Sequence, residues 1–197
     1  PSVARMLLRI CALLCVLYVT VWSQACNGIP VSERLGFISA HNKVRYAISS
    51  GAYIAKGKQM PGAKTPIPSV SWDCGIEASA QAVSDTCVFA HSTNRVNLGE
   101  NLYTMMSSAV IPSFSGLGKA ATDAWVQEFQ DFGWLSVNLT REAFDTGIGH
   151  ATQVAWAKST KIGCGMTKCD GGKQVIVACQ YRDAGNYLNQ NIYDPKV

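Results

Sequence analysis

The chain has 197 residues, of which 48% are hydrophobic and 15% are charged, and its formal net charge at pH 7 is +4. This length suits one domain behind a targeting segment. The sequence contains no basic run and no alternation of basic with aromatic residues, which argues against nucleic acid as a partner.

Residues 1–25 have the pattern of a secretory signal peptide. Two arginines precede an apolar run at 10–22, and residues 23–25 place small side chains where a signal peptidase cleaves. The run is shorter than the roughly 20 residues of a membrane-spanning helix, and an N-terminal membrane anchor is the alternative interpretation. We expect translation to start at Met6 and one extracellular domain, residues 26–197, to be secreted without a further membrane span.

The cysteines indicate disulfides rather than a metal centre. Cys11 and Cys15 lie in the predicted signal, and an even number of cysteines follows it. An even set behind a secretory signal predicts a disulfide framework, and the paired short spacings of a cysteine zinc site are absent. Three disulfides are therefore expected among the cysteines at 26, 74, 87, 164, 169 and 179.

Helices dominate the first two thirds of the predicted domain. Ser32 is a suitable N-cap for the first helix, and Gly51 terminates it. Apolar residues three and four apart predict the later helices. Prolines and glycines predict surface loops at 57–69 and 107–118. The predicted helices cover residues 32–49, 74–89, 119–132 and part of 143–157.

The end of the domain has β character. Residues 161–167 and the apolar run 175–181 flank Asp170-Gly171-Gly172, which is typical of a hairpin turn. Helices mixed with a terminal hairpin predict an α+β domain with an antiparallel sheet between helical layers. The sequon at Asn138 predicts an N-glycan on a surface loop.

Three histidines follow the predicted signal, and spacing alone does not unite them in a site. His91 lies in Phe-Ala-His-Ser and His150 in Gly-His-Ala-Thr-Gln, whereas His41 falls within the first predicted helix. Most buried histidines are hydrogen-bonded core residues rather than ligands, and the structural interpretation is preferred for His41.

Taken together, several segments resemble one family. The segments GHATQVAWAKST at 149–160 and VACQYRDAGNYL at 177–188 match the two signatures of the CAP superfamily, which comprises cysteine-rich secretory, antigen 5 and pathogenesis-related 1 proteins. Three shorter motifs, HNKVR, CVFAHS and GENL, occur in the expected order between residues 41 and 102. Within this superfamily, the chain is most similar to the venom allergen-like proteins of parasitic worms.

The resemblance implies a disulfide-stapled, three-layer α-β-α sandwich with a central cleft. His91, Glu100, Glu128 and His150 occupy the positions of the family's two histidines and two glutamates. In the family, the histidines can hold a divalent metal ion, commonly Zn²⁺, with the glutamates nearby. Two protein ligands form a weak set, so an exchangeable ion is expected.

The resemblance also implies structural roles for other residues. Gln153 and Trp156 would support the base of the cleft, whereas His41 and Asn42 would make internal hydrogen bonds. Gly185 would adopt backbone angles that other residues avoid, beside Tyr181 and Asn186. The family pattern implies the pairs Cys87–Cys169 and Cys164–Cys179, which leaves Cys26–Cys74.

Family members that bind sterols or fatty acids suggest the main functional hypothesis. The protein would be a secreted, non-enzymatic lipid-binding protein that modulates host immune or defence responses. An apolar trough between the first and third helices would hold the lipid, although each of its residues is also a plausible core residue. The proposed walls are Phe37, Val44, Ile48, Trp125, Phe129, Phe132 and Trp134.

Two alternatives remain open at the level of sequence. A metal-dependent hydrolase would use Glu100 or Glu128 as a general base on metal-bound water, with Ser92 as a conceivable nucleophile. The chain has neither H-E-x-x-H nor G-x-S-x-G, which favours binding over catalysis. A receptor-binding effector would instead contact a host protein through the loops at 57–69 and 107–118.

Overall fold

The computed structural model describes Cys26 and residues 28–196. The predicted signal peptide, residues 1–25, lies outside this part of the chain. Among the described helices, none has both the length and the apolar character that crossing a membrane requires.

Five α-helices and six strands form the described part of the fold. The helices are α1 Val31–Ser50, α2 Cys74–Ser84, α3 Leu117–Asp131, α4 Arg141–Asp145 and α5 Gly149–Ala155. The strands are β1 Ile54–Ala55, β2 Lys58–Gln59, β3 Ser71–Trp72, β4 Gly99–Met106, β5 Lys161–Cys169 and β6 Gln174–Arg182, with a 3₁₀ turn at Asp170–Gly172.

The central sheet has the strand order β3-β5-β6-β4. The β5–β6 and β6–β4 pairs are antiparallel, and the short β3 is parallel to β5. Helix α2 packs on one face, and α1, α3 and α5 pack together on the other side. This arrangement is the predicted α-β-α sandwich, and the α+β class is confirmed.

Two glycines of β5 allow α2 to lie directly on the sheet. A Cβ atom at Gly163 would stand 2.1 Å from the backbone nitrogen of Glu77, and one at Gly165 would stand 2.2 Å from the Cα of Gln81. Any side chain at either position would push the helix away from the sheet. This close contact fixes the distance of α2 from the sheet.

The three disulfides have the pairing that the family resemblance implied. Cys26–Cys74 joins the N-terminal segment to the start of α2, and Cys87–Cys169 joins the segment after α2 to the end of β5. Cys164–Cys179 links directly opposed residues of β5 and β6. The second bridge is the one nearest in sequence to His91.

Helix α2 ends earlier than predicted, at Ser84 rather than Phe89. The apolar spacing continues to Cys87, but that residue has φ +55° and is bonded to Cys169. The disulfide therefore holds it out of the helical path. The non-helical segment that follows, residues 85–98, connects α2 to β4 and carries His91.

The N-termini of α1 and α3 also differ from the prediction. Helix α1 begins at Val31 after Pro30, and Ser32 does not cap it. The Glu33 carboxylate instead accepts hydrogen bonds from the backbone of Gly116 and Gly118. It therefore satisfies amide groups at the start of α3, which begins two residues before the predicted Lys119.

Residues 143–157 contain parts of two helices rather than one. Helices α4 and α5 are separated at Gly147, whose φ of +99° is in the left-handed region that favours glycine. The break turns the start of α5 toward α3.

Strand β4 was not predicted either, because Gly-Glu-Asn-Leu-Tyr-Thr-Met-Met lacks a regular alternation of polar and apolar residues.

The predicted loops at 57–69 and 107–118 are only partly surface segments. Met60, Ala63 and Ile67 from the first, and Ile111 and Leu117 from the second, are all buried. Their apolar side chains join the two main core clusters. Apart from β2 and the start of α3, proline and glycine correctly indicated irregular backbone there, but they did not indicate exposure.

The prediction that these aromatic and apolar residues line a lipid trough is wrong for most of them. Phe37, Ile48, Trp125, Phe129 and Trp134 are each no more than 2% exposed and fill the core. They fall into two separate clusters rather than one trough, and the rings of Phe129 and Trp134 stack with centroids 4.1 Å apart. Phe132 is half exposed at the surface, and the partly buried Val44 lies beside a cavity.

Candidate functional site: a cleft with two histidine–glutamate pairs

The first half of the cleft joins a loop histidine to a strand glutamate. His91 lies in the segment 85–98, and Glu100 is the second residue of β4, opposite Gln180 of β6. The distance from His91 Nδ1 to Glu100 Oε1 is 2.8 Å. The side chain of His91 is 51% exposed and that of Glu100 is fully buried, so the glutamate anchors an otherwise accessible imidazole.

Every remaining acceptor position of Glu100 is also in use. Its Oε1 accepts from the backbone of Ser92 and from Arg95, and its Oε2 accepts from the Ser92 hydroxyl and from Gln180. Burial alone would raise the pKa of Glu100. The hydrogen bonds from His91, Gln180 and Ser92 outweigh burial and lower that pKa to about 2, so the carboxylate is charged at neutral pH.

The second half of the cleft is built from two helices. Glu128, near the end of α3, accepts hydrogen bonds through Oε2 from the backbone nitrogens of His150 and Ala151. These groups belong to the first turn of α5, where no N-cap side chain is present, and the glutamate satisfies them. Its Oε1 lies 2.5 Å from His150 Nδ1. One carboxylate thus fixes both the helix and the imidazole.

The two halves face one cavity. A cavity of about 600 Å³ is lined by His91, Glu100, Glu128 and His150. In the described part of the chain, neither imidazole Nε2 has a hydrogen-bond partner. The other lining residues are Arg95, Leu98, Gly99, Asn101, Phe144, Gly147, Gly149, Gln153, Ala184, Gly185 and Asn186.

Hydrogen bonds beneath the cavity support its floor. Gln153 accepts from the backbone nitrogen of Gly185 and donates to Ser159 Oγ, each at 2.9 Å. Trp156 is buried behind it. A Cβ atom at Gly185 would lie 2.8 Å from the Trp156 ring, so close packing excludes a side chain there.

The left-handed backbone angle expected at Gly185 occurs instead at the next residue. Asn186 has φ +59°, whereas Gly185 is not among the glycines with positive φ. The Asn186 side chain donates to the carbonyl of Gly149 and accepts from Thr152 Oγ1. Asn101 completes this support by donating both to the carbonyl of His150 and to the Tyr181 hydroxyl.

His41 and Asn42 have the structural roles expected for them. His41 Nδ1 lies 2.8 Å from the carbonyl of Phe37, and its Nε2 lies 3.0 Å from the Tyr181 hydroxyl. Asn42 exchanges two hydrogen bonds with the backbone of Val70. Neither residue lines the cleft, and His41 is fully buried.

The donor set of the cleft fits a weak divalent-metal site. Among the described residues, no group of three or more His, Cys, Asp or Glu side chains is placed to hold a metal ion. Two imidazoles that present Nε2, with water in the remaining positions, are a suitable but incomplete set for Zn²⁺. The two carboxylates contact imidazole Nδ1, so they would orient the imidazoles rather than act as ligands themselves.

Asn138, the predicted glycosylation position, lies just before α4. It is half buried, and its Nδ2 donates to Asn191 Oδ1 at 3.2 Å. Thr140 of the same sequon caps α4 through its hydroxyl. Glycosylation at Asn138 stays a prediction.

Comparison with known proteins agrees with this architecture. The model of the cysteine-rich secretory protein family, named CAP, matches residues 38–181. The chain belongs to the CAP family. This CAP domain is 29% identical to Venom allergen 5 of Microctonus hyperodae over 91% of this chain and 81% of that protein. It is 34% identical to the Ancylostoma secreted protein of Ancylostoma caninum over 85% of this chain and 40% of that protein.

A solved structure of a related CAP protein shares the fold. The crystal structure of NaASP2 with Zn²⁺ aligns with a TM-score of 0.80 and 30% identity, over 86% of this chain and 89% of that chain. Together with the worm protein above, it confirms that this CAP domain resembles the venom allergen-like and secreted proteins of parasitic worms.

Several supporting residues of this CAP domain were not predicted. Gln180, Arg95 and Asn101 each donate hydrogen bonds within or beneath the cleft. The alternation of β6 places Gln180 on the α2 face, opposite Glu100. The register of β4 against β6, which the sequence pattern did not show, is the signal that would have revealed this pair.

Proposed function

We propose that the protein is a secreted, non-enzymatic binding protein whose cleft holds an exchangeable divalent metal ion, with Zn²⁺ as the expected ion. The observation that carries this proposal is the matched pair of Nδ1–carboxylate contacts, at 2.8 Å for His91 and 2.5 Å for His150. A carboxylate on one ring nitrogen fixes the tautomer and orients the other nitrogen toward a metal. The solved relative with Zn²⁺ supports the choice of ion.

Catalysis is the less favoured alternative because the candidate general bases are already engaged. Glu100 accepts hydrogen bonds on both oxygens, and a carboxylate whose pKa is lowered to about 2 is a weak base. Glu128 binds His150 and the start of α5. The Ser92 hydroxyl donates to Glu100 rather than to a neutral base, so it lacks the activation that a nucleophile requires.

Titration calorimetry of the purified protein with Zn²⁺ tests the metal site. We expect one exchangeable ion per chain and at least a tenfold loss of affinity in His91→Ala and in His150→Ala. Gln127→Ala is a matched control, because this exposed residue precedes Glu128 in α3 and its side chain donates to Asp131. Unchanged Zn²⁺ affinity in both histidine variants would contradict the proposal, and chelator-sensitive peptidase turnover would favour the hydrolase.

Secretion and a role in host responses are part of the same proposal. The family is named for secretory proteins, and the relatives include a venom allergen and a secreted worm protein. We infer extracellular action on host immune or defence responses. A host protein receptor is the alternative partner, with contacts through exposed parts of residues 57–69 and 107–118.

A fatty acid is a second candidate ligand, at a different place from the predicted aromatic trough. A cavity of about 300 Å³ lies between α1 and α3 and is lined by Ala40, Val44 and Tyr53, with Lys43 and Lys119 among its polar residues. This volume is at the lower end of the range for ligand pockets, about 300–1,000 Å³. It suits a single alkyl chain with its carboxylate near lysine better than a sterol.

Palmitate titration tests this second candidate. We expect saturable binding, and Val44→Trp should weaken it at least tenfold because the indole would fill the space between the helices. Val126→Trp is the control, because Val126 is a partly buried residue of α3 that does not line this cavity. Equal binding by both variants, or binding of a sterol but not of palmitate, would contradict this assignment.

A further inference from the structure

The segment between α2 and β4 contains an unusually accessible peptide bond, the one that joins Arg95 to Val96. Val96 is 85% exposed, and its neighbours at 93, 94 and 97 are exposed as well. In the described part of the chain, no backbone amide or carbonyl group of residues 93–97 takes part in a hydrogen bond. An exposed backbone without hydrogen bonds is free to adopt the extended form that a protease binds, so this stretch has the properties of a cleavage site.

The other basic residues in the described part of the chain are less accessible to a protease. Most of them lie in helices or strands. Lys158 does not, but the next residue, Ser159, is fully buried. The remaining ones donate hydrogen bonds through their backbone amides: Lys56, Lys64, Lys173 and Lys196. Among the described residues, Arg95 is therefore the one basic residue that precedes an exposed position in a backbone free of hydrogen bonds.

The Arg95 side chain can leave its present contacts without stranding a buried charge. Its Nη1 lies 3.2 Å from Glu100 Oε1. The same carboxylate has shorter contacts, of 2.7–2.9 Å, with His91, with Gln180 and with the backbone and hydroxyl of Ser92. Glu100 therefore stays hydrogen-bonded when Arg95 turns outward. The Arg95 side chain is already 30% exposed, so its guanidinium is available to the acidic specificity pocket of a trypsin-type protease.

We propose that the Arg95–Val96 bond is a processing site for a trypsin-type serine protease that cuts after arginine. Water adds across this peptide bond, which leaves a carboxylate on Arg95 and an ammonium group on Val96. The two products stay joined, because Cys87 lies before the cut and its disulfide partner Cys169 lies after it. The other two bridges each lie within one product. The processed form is therefore a disulfide-linked protein of two chains.

Cleavage at this bond acts on the cleft through His91. His91, Arg95 and Leu98 line both the cleft and a second cavity of about 700 Å³ beside α2, so this part of the segment lies between the two cavities. The cut ends the chain connection from His91 to β4. It also places a new carboxylate on the residue that contacts Glu100, where like charges repel. The processed form therefore binds Zn²⁺ more weakly, a consequence that rests on the proposed metal site, whereas the cut itself does not.

Limited proteolysis of the folded, unmodified protein tests the site. An arginine-specific serine protease should make a single first cut, so that reduced samples show two fragments and non-reduced samples show one species. N-terminal sequencing of the new fragment should give Val-Asn-Leu-Gly. A lysine-specific protease should leave the protein intact under the same conditions. A first cut at another described residue, no cut, or equally rapid cutting by the lysine-specific protease would overturn the proposal.

A matched pair of variants tests the bond. Val96→Pro should block cleavage, because proline constrains the backbone on both sides of the bond, while the Val96 amide has no hydrogen bond to lose. Val110→Pro makes the same change at another exposed valine whose amide is unbonded and which follows Ala109 rather than a basic residue. We expect the first cut to slow at least tenfold in Val96→Pro and to keep its rate in Val110→Pro. Equal rates in the two variants would overturn the assignment, and circular dichroism verifies that both are folded.

Titration calorimetry of the two-chain protein, freed of protease, tests the consequence for the cleft. We expect Zn²⁺ to bind at least tenfold more weakly than to the uncut protein. Val96→Pro treated with the same protease is the control and should keep the affinity of the uncut protein. Equal Zn²⁺ affinity of the cut and uncut forms would overturn the effect of the cut on the cleft. No Zn²⁺ binding by the uncut protein would contradict the metal site, and with it that effect, but not the processing site.

Discussion

The indole of Trp125 lies near two histidines with different surroundings. Its ring centroid is 6.3 Å from that of His41 and also 6.3 Å from that of His150. His41 is fully buried, and both of its ring nitrogens are hydrogen-bonded, to the Phe37 carbonyl and the Tyr181 hydroxyl. The side chain of His150 is 35% exposed, with a carboxylate on Nδ1 alone.

The difference lies in the second ring nitrogen. A histidine with two internal partners and no solvent contact is a core residue, whatever motif surrounds it. A histidine that lines a cavity, with a carboxylate on one nitrogen and no hydrogen-bond partner on the other among the described residues, has the arrangement that the proposed metal site requires. By this criterion His91 and His150 belong together, and His41 belongs to the structural framework.

Burial has a titration consequence for His41 that can be measured. Desolvation, with a smaller contribution from Arg45, lowers the pKa of His41 to about 3 against the opposing hydrogen bond to Phe37. The unfolded chain takes up this proton near pH 6.5, whereas the folded chain does not. The contribution of His41 to stability is therefore complete above pH 6.5 and is lost as the pH falls toward 3.

The largest expected effect is on stability in acid. Between pH 6.5 and 4.5, His41→Gln should remove a dependence of up to about 1.4 kcal/mol per pH unit from the free energy of unfolding, or about 2–3 kcal/mol over the window. Glutamine does not titrate there and can still hydrogen-bond. Denaturant unfolding at several pH values measures the slope directly.

The pH range from 6.5 to 4.5 separates the effect of His41 on stability from that of Glu100 in the cleft. Glu100, whose folded pKa is lowered to about 2, also contributes stability that is lost in acid, but only below its unfolded pKa near 4.5. Both His41→Gln and the unmodified chain should therefore lose stability below pH 4.5. An identical slope for the two proteins from pH 6.5 to 4.5 would show that His41 is protonated in the folded state.

The sequence predicted the members of the cleft better than their surroundings. Motifs identified His91, Glu100, Glu128 and His150 because family patterns mark chemical positions directly. They did not show that Glu100 is buried under Gln180, since that contact depends on the register of β4 against β6. A strand without alternation gives no local signal of its register.

The aromatic residues show the limit of composition as evidence. The cluster of rings from Trp125 to Trp134 suggested a lipid wall, but Phe129 and Trp134 stack on each other in the core. Helical spacing defines a shared face without showing what covers it. Tyr53, which lies outside the predicted helices, contacts both rings edge-on and contributes to that cover.

A smaller effect tests whether the Glu128 carboxylate, as well as the His150 imidazole, contributes to Zn²⁺ affinity at the proposed metal site. Glu128→Gln keeps the size of the side chain and a carbonyl oxygen for the amides of His150 and Ala151. It removes the negative charge that the carboxylate places beside His150 Nδ1. Replacement of an orienting carboxylate typically lowers metal affinity about 10–100-fold. We therefore expect Zn²⁺ affinity to fall within that range, as measured by titration calorimetry.

The core histidine provides the matched control for that experiment. His41→Gln changes another neighbour of Trp125 and should leave Zn²⁺ affinity unchanged, because His41 contacts neither glutamate and lines no part of the cleft. If Glu128→Gln binds Zn²⁺ as tightly as the unmodified protein while His150→Ala does not, the carboxylate serves only to cap α5. If His41→Gln also weakens Zn²⁺ binding, the two neighbours of Trp125 are coupled, and core and cleft histidines are not independent.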